Sequence, residues 1–103
     1  MATAKPIIAS LVGVTPVALY TWSAGVAELE SVDILNRLTT TVLVDLYLDN
    51  NGTAVYLTKA RSLNAGESLA YRGAVPANST GQVFKIVSDT AASLDALGRV
   101  TEF

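Results

Sequence analysis

The feature that most constrains this chain is a period of two on either side of an Asn-Gly pair. Val42, Val44, Leu46 and Leu48 fall on one face of an extended segment, and Leu43, Asp45, Tyr47 and Asp49 on the other. Asn51-Gly52 follows, then a second alternating run from Ala54 to Thr58. Asn and Gly both tolerate positive φ, so the pattern predicts two strands closed by a tight hairpin. Asp49-Asn50-Asn51-Gly52-Thr53 also invites comparison with a calcium loop. Counted from Asp49, however, the glycine stands at position 4 rather than 6, and position 12 is Ala60 rather than Glu. The oxygen-rich cluster reads as a turn.

Similar segments recur along the chain. Ile7–Val14 and Val17–Trp22 are apolar and set off by Pro6 and Pro16. Val26–Leu35 alternates, with a slip of phase between Leu29 and Val32 that predicts a β-bulge. Glu67–Arg72 follows an Asn64-Ala65-Gly66 turn, Gln82–Ser88 alternates, and Leu94–Phe103 closes the chain. Asp89–Leu97 could be a short helix capped by Asp89 and stopped by Gly98. Its Ser, Thr and Asp content favours a turn followed by a strand. Val75–Gly81, rich in Pro, Asn, Ser and Gly, reads as a loop. The expectation is all-β: one antiparallel β-sandwich or jelly-roll-like domain of about eight short strands over residues 1–103. Residues 1–16 would form an N-terminal arm or an edge strand.

Composition restricts the chemistry. With 103 residues the chain is long enough for one domain with a core of its own. It has no cysteine and no histidine, which removes thiol catalysis, disulfides, thiolate or imidazole metal sites and the Ser-His-Asp triad. Its net charge is −2, and the seven Lys and Arg residues are scattered rather than arranged in the basic stripe of a nucleic-acid binder. No run approaches the roughly 20 apolar residues of a membrane span, and the N-terminus is a poor signal peptide. Glu28 and Glu30 stand two apart on a strand, about 6.5–7 Å, a spacing known from glycosidases, yet it equally marks a solvated face or a protected edge. Asn78-Ser79-Thr80 fits a glycosylation sequon by chance occurrence. Tyr20, Trp22, Tyr47, Tyr56 and Tyr71 are candidates for a sugar-binding platform, and Tyr47 and Tyr56 could also be a cross-strand pair that only stabilises the sheet.

Leu19-Tyr20-Thr21-Trp22-Ser23-Ala24-Gly25-Val26-Ala27-Glu28-Leu29 resembles a pattern in small structural proteins of tailed bacteriophage virions. There a short strand ends in a Thr-x-Pro-Ala-Gly-like turn and a strand ending near an Asn, here Asn36, follows. Ser23 stands where that pattern often has Pro. Val44–Leu48, Leu63–Leu69 and the terminal Glu102-Phe103 match further pieces, so the resemblance spans about residues 17–103. It implies a β-sandwich or jelly-roll subunit, either a capsid decoration (cement) protein or a small tail, neck or fibre subunit, made in the bacterial host cytoplasm and located in the virion. It brings no site residues with it.

These readings lead to one set of expectations. The protein is not an enzyme, needs no cofactor or metal, and does not bind nucleic acid or membrane. It works by presenting surfaces, to itself as a trimer and to the major capsid protein, or else to tail or neck proteins. Contacts are expected from the apolar N-terminal segment, through Ile7, Ile8, Leu11 and Val12 and by strand addition, and from Val75, Pro76 and Asn78. The alternative from another class is a carbohydrate-binding or adhesion module using Tyr47, Tyr56 or Tyr71.

Overall fold

Asn51 and Gly52 close a two-residue hairpin. Both have positive φ (54° and 96°), and Asn50 pairs with Thr53 across the turn. The Asp49 carboxylate accepts the Gly52 N–H at 2.8 Å, and the Asn51 N–H donates to the Gly81 carbonyl at 3.1 Å, which ties the turn to its neighbour. The computed structural model describes residues 2–103 and builds eight strands: β1 (Thr3–Val12), β2 (Val17–Thr21), β3 (Ala27–Asn36), β4 (Val42–Asn50), β5 (Thr53–Leu63), β6 (Ser68–Ala77), β7 (Gln82–Ser88) and β8 (Leu94–Glu102). They form two four-stranded antiparallel sheets, β1-β8-β3-β6 and β2-β7-β4-β5.

The pairing is nested. β4 pairs with β5, β3 with β6, β2 with β7 and β1 with β8. The chain is thus one long hairpin, folded at Asn51-Gly52 and rolled into two facing layers, which is the jelly-roll arrangement. The inward positions make one core. Leu29, Val32 and Ile34 of β3, Val42, Val44 and Leu46 of β4, Phe84 and Ile86 of β7 and Leu94 and Val100 of β8 are fully buried.

The anticipated bulge is present. The register of β3 shifts between Leu29 and Ser31 against both β6 and β8. It explains Gly98, which lies opposite Val32: a Cβ there would sit 1.9 Å from the Ser31 carbonyl oxygen. Gly98 is therefore demanded by a close backbone approach, not by a helix end. Asp89–Ser93 forms a turn and β8 starts at Leu94, as the turn-plus-strand reading expected. Buried Ser88 and Ser93 bond to each other, Ser93 also donates to the Thr90 carbonyl at 2.7 Å, and the Thr90 N–H donates to Ser88 at 3.1 Å. Such local side-chain bonds compete with helix formation.

Two strands outrun their sequence boundaries. β5 continues to Leu63 because a bulge absorbs the broken alternation at Lys59-Ala60-Arg61; Ala60 has φ 50°, and its N–H donates to the Asp45 carboxylate at 2.6 Å. β6 takes in Val75, Pro76 and Ala77, which correct the loop expected there. Pro76 is accommodated because β6 is an edge strand.

Asn36, at the end of β3, is fully buried and polar. Its Nδ2 donates to the carbonyls of Thr40 (2.8 Å), Leu63 (3.1 Å) and Asn64 (3.0 Å), and its Oδ1 accepts the Leu38 N–H (2.9 Å). One amide thereby holds the β3–β4 connection against the end of β5. Replacing it strands buried backbone groups, so Asn36→Ala should cost about 2–4 kcal/mol. The check is urea denaturation, where the midpoint should fall with little change in slope.

Candidate interaction surface

The expected contact residues divide between core and surface. Ile7 and Val12 are each 1% exposed and face the core: Ile7 by the alternation of β1, and Val12 because a bulge between Ala9 and Val12, with Leu11 at φ 56°, reverses the phase. They offer nothing to a neighbour. Ile8 (75% exposed) and Leu11 (54%) point outward. Val75 is half-buried against the core, Pro76 is exposed, and Asn78 lies in the β6–β7 turn, where its N–H donates to the Gln82 side-chain carbonyl at 2.7 Å. β1 and β6 are opposite edges of one sheet, with β8 and β3 between them, so the two groups lie about 14 Å apart and do not form one patch.

The sheet instead brings Ile8 together with two residues that sequence reasoning did not single out. Ile8 is directly paired with Leu97 of β8, which is 60% exposed, and Leu35 of β3 lies opposite Asp95, one step along the sheet. These three side chains edge a shallow apolar depression of about 440 Å³ on the outer face of the first sheet, floored in part by Ala9 and Ala96. The two acids in its lining are ion-paired, Asp33 with Arg72 at 2.9 Å and Asp95 with Arg37 at 3.3 Å, and Glu30–Arg99 pairs at 2.7 Å elsewhere in the same sheet. Acids and bases balance there, so the face is apolar at its centre and neutral at its rim. The signal in sequence was an apolar residue in the outward phase of a strand, beside an inward one: Ile7-Ile8, Ile34-Leu35 and Ala96-Leu97. Only the strand order shows that the three converge.

The outer face of the second sheet has a different character. Tyr47 and Tyr56 are cross-strand neighbours with ring centroids 5.5 Å apart and planes tilted by 50°. The Lys59 ammonium lies 4.5 Å over the Tyr56 ring. Lys85 donates to Asp49 at 2.7 Å. Burial raises the Tyr47 pKa, with Lys85 opposing. A tilted pair already covered by a cation is not a flat platform for a sugar. The remaining aromatics are elsewhere. Tyr71 pairs in register with Val32 and packs on the core, Tyr20 packs on Phe84 (6.5 Å), and the Trp22 indole N–H donates to the Gly25 carbonyl.

The carboxylates serve the framework. The bulge separates Glu28 from Glu30, and Glu30 is engaged by Arg99. Glu102 accepts from the Tyr20 hydroxyl and, at 3.2 Å, from Ser23, with Lys5 at 3.8 Å, so it joins β1, β2 and β8. The Tyr20 hydrogen bond is the main cause of its lowered pKa. Tyr20 is raised, first by burial and then by that same hydrogen bond. Among the described residues, no three acidic side chains gather closely enough to hold a metal ion, and no helix is long and apolar enough to cross a membrane.

No family model matches the sequence, and no curated protein does. Among solved structures, the chain is similar in fold to one in the structure of infectious bursal disease virus Gx strain, with a TM-score of 0.59 at 12% identity. The match covers 98% of this chain and 32% of that one, so this chain spans about a third of its length.

Asp49 sits below its ordinary pKa, chiefly through Lys85 and then the Gly52 N–H, and Lys85 sits above its own through Asp49. A lowered carboxyl stabilises the fold above its unfolded pKa and loses that contribution as pH falls through the folded value. A raised ammonium stabilises below its unfolded pKa and loses its contribution as pH rises through the folded value. The pair should therefore contribute from about pH 5 to about pH 10. In urea titrations Asp49→Asn should lower the midpoint at pH 7, and the gap to wild type should narrow as pH falls below the ordinary carboxylate range. A gap that does not vary with pH would remove the ion pair as its cause.

Proposed function

We propose that this chain is a virion structural subunit, and within that class a capsid decoration (cement) protein that binds the outside of a head lattice as a trimer. The carrying observation is the outer face of the first sheet, where Ile8, Leu35 and Leu97 leave an apolar centre in water inside a neutral rim. Exposed apolar clusters with polar rims mark contact surfaces. The molecule measures 42 × 25 × 18 Å, so its broad face offers on the order of 1,000 Å², against about 800 Å² per partner in a standard interface. The jelly-roll likeness to a chain from a virus structure supports the same reading, as does a residue content without histidine or cysteine. On this reading the protein is not an enzyme. A subunit that bridges neighbouring capsomers stabilises the assembled head by the margin with which it binds that state over the free components.

Pro6 changes how β1 takes part. A proline in an edge strand cannot donate to an added strand, so β1 acts through Ile8 rather than as a template for main-chain pairing. Native mass of the dilute protein tests the assignment. A trimer is expected, and Ile8→Asp should reduce it to monomer with an unfolding midpoint within about 0.5 kcal/mol of wild type, since Ile8 is a surface residue. A ring of six or twelve would move the protein to the neck or tail. Wild type that stays monomeric, or an Ile8→Asp protein that assembles normally, would overturn it.

A further inference from the structure

Two open sheets have four edges, here β1 and β6 in the first and β2 and β5 in the second. An edge strand carries unpaired main-chain groups and invites pairing with another chain unless something blocks it. The chain has three prolines, and each falls at a different edge. Pro6 lies within β1, Pro76 within β6, and Pro16 immediately before β2, which is itself only five residues long. β5 is the exception: it spans 11 residues and contains no proline.

The second half of β5 is protected in other ways. Its register slips against β4 between Val44 and Tyr47, the Ala60 N–H is turned onto the Asp45 carboxylate, and Lys59 and Arg61 place charge there. The first half, Thr53–Leu57, has no charge, no proline and an unbroken register from Thr53 to Tyr56. Val55 and Tyr56 are 48% and 43% exposed. Because Asn50 and Thr53 close the hairpin, the main-chain groups of Thr53 and Val55 face β4, and those of Ala54 and Tyr56 face the free edge.

We propose that this half-strand pairs antiparallel with the same half-strand of a second copy, about a two-fold axis at Val55, joining two four-stranded sheets into one of eight. The free groups are their own complement. Ala54 of each copy meets Tyr56 of the other through main-chain hydrogen bonds, and Val55 meets Val55 across the axis. No charges stand opposite each other in this register. Lys59 of each copy falls beside the uncharged Asn51-Gly52 turn of the other, where the neighbouring Asp49 carboxylate is already held by Lys85, so no unpaired like charge faces it. An uncharged edge whose free groups complement one another about a two-fold axis favours a second copy over a foreign strand. This contact requires no capsid and no three-fold contact, and with main-chain bonds only from Ala54 and Tyr56 it is too weak to persist in the dilute protein, so native mass reports the three-fold contact and covalent trapping reports this one.

The absence of cysteine makes the test direct. In this register Val55 forms a non-hydrogen-bonded pair with its counterpart, with Cα atoms about 4.5 Å apart, within disulfide range. Val55→Cys should therefore form a disulfide-linked dimer under mild oxidation at least ten times faster than Ala24→Cys, an exposed control in the β2–β3 turn. Adding Ala54→Pro, the device found at the other edges, should suppress that trapping while the far-ultraviolet circular dichroism is retained. If the proline variant fails to fold, Ala54→Lys in its place should suppress trapping by like-charge repulsion. Trapping no faster than the control, or trapping that survives the edge substitutions in folded protein, would overturn the proposal.

Discussion

The Asn51-Gly52 turn lies at the midpoint of the chain, and every later pairing is laid outside the one before it. Two residues with positive φ bring β4 against β5. With that hairpin closed, β3 and β6 leave its ends in a position to pair, and they in turn set β2 and β7, and finally β1 and β8. Asn36 is the bracket that holds this order. Its side chain bonds to carbonyls at the end of β5 and just beyond, so the third strand is tied to the hairpin without help from the outer strands. The sandwich rests on a backbone preference at one turn and a single buried amide.

Much of the fold was legible because its signals are local. The hairpin follows from Asn51-Gly52, the bulge from the slipped phase between Leu29 and Val32, and the strand at Leu94 from the poor helix chemistry before it. What was not legible depends on partners distant in sequence. Val75–Ala77 has loop composition and is held as strand only because β3 lies beside it. Gly98 resembled a helix stop, and only the Ser31 carbonyl pressed against it explains the missing side chain. Asn36 was noticed as part of a pattern, but its four hydrogen bonds involve residues up to 28 positions away. The candidate surface follows the same rule. Ile8 could be picked out from its apolar segment, whereas Leu35 and Leu97 join it only through strand order; Ile7 leaves the surface because of strand phase, and Val12 because a bulge after Ala9 reverses that phase.

The two outer faces of the sandwich differ in how they satisfy themselves. On the second sheet, Lys59 covers Tyr56 and Lys85 is bound to Asp49, so the aromatic and charged groups are occupied by one another. On the first, the two acids that line the depression are held by Arg72 and Arg37, and its apolar side chains are left in water. Burial of that centre by a neighbour would gain hydrophobic stabilisation without breaking any pair. Burial of the second face would first have to displace lysines from their present contacts.

Nesting has a cost in time. The outermost pair sets Thr3 against Glu102, so of the eight strands β1 waits for β8 before it finds its place in a sheet. While β8 is still emerging from the ribosome, β1 has no partner, and Ile7 and Val12 have no core to enter. Folds dominated by contacts between distant parts of the chain close slowly and pass through states with unpaired edges. Pro6 lies in the strand that waits longest, and it blunts main-chain pairing during that interval as well as in the finished molecule.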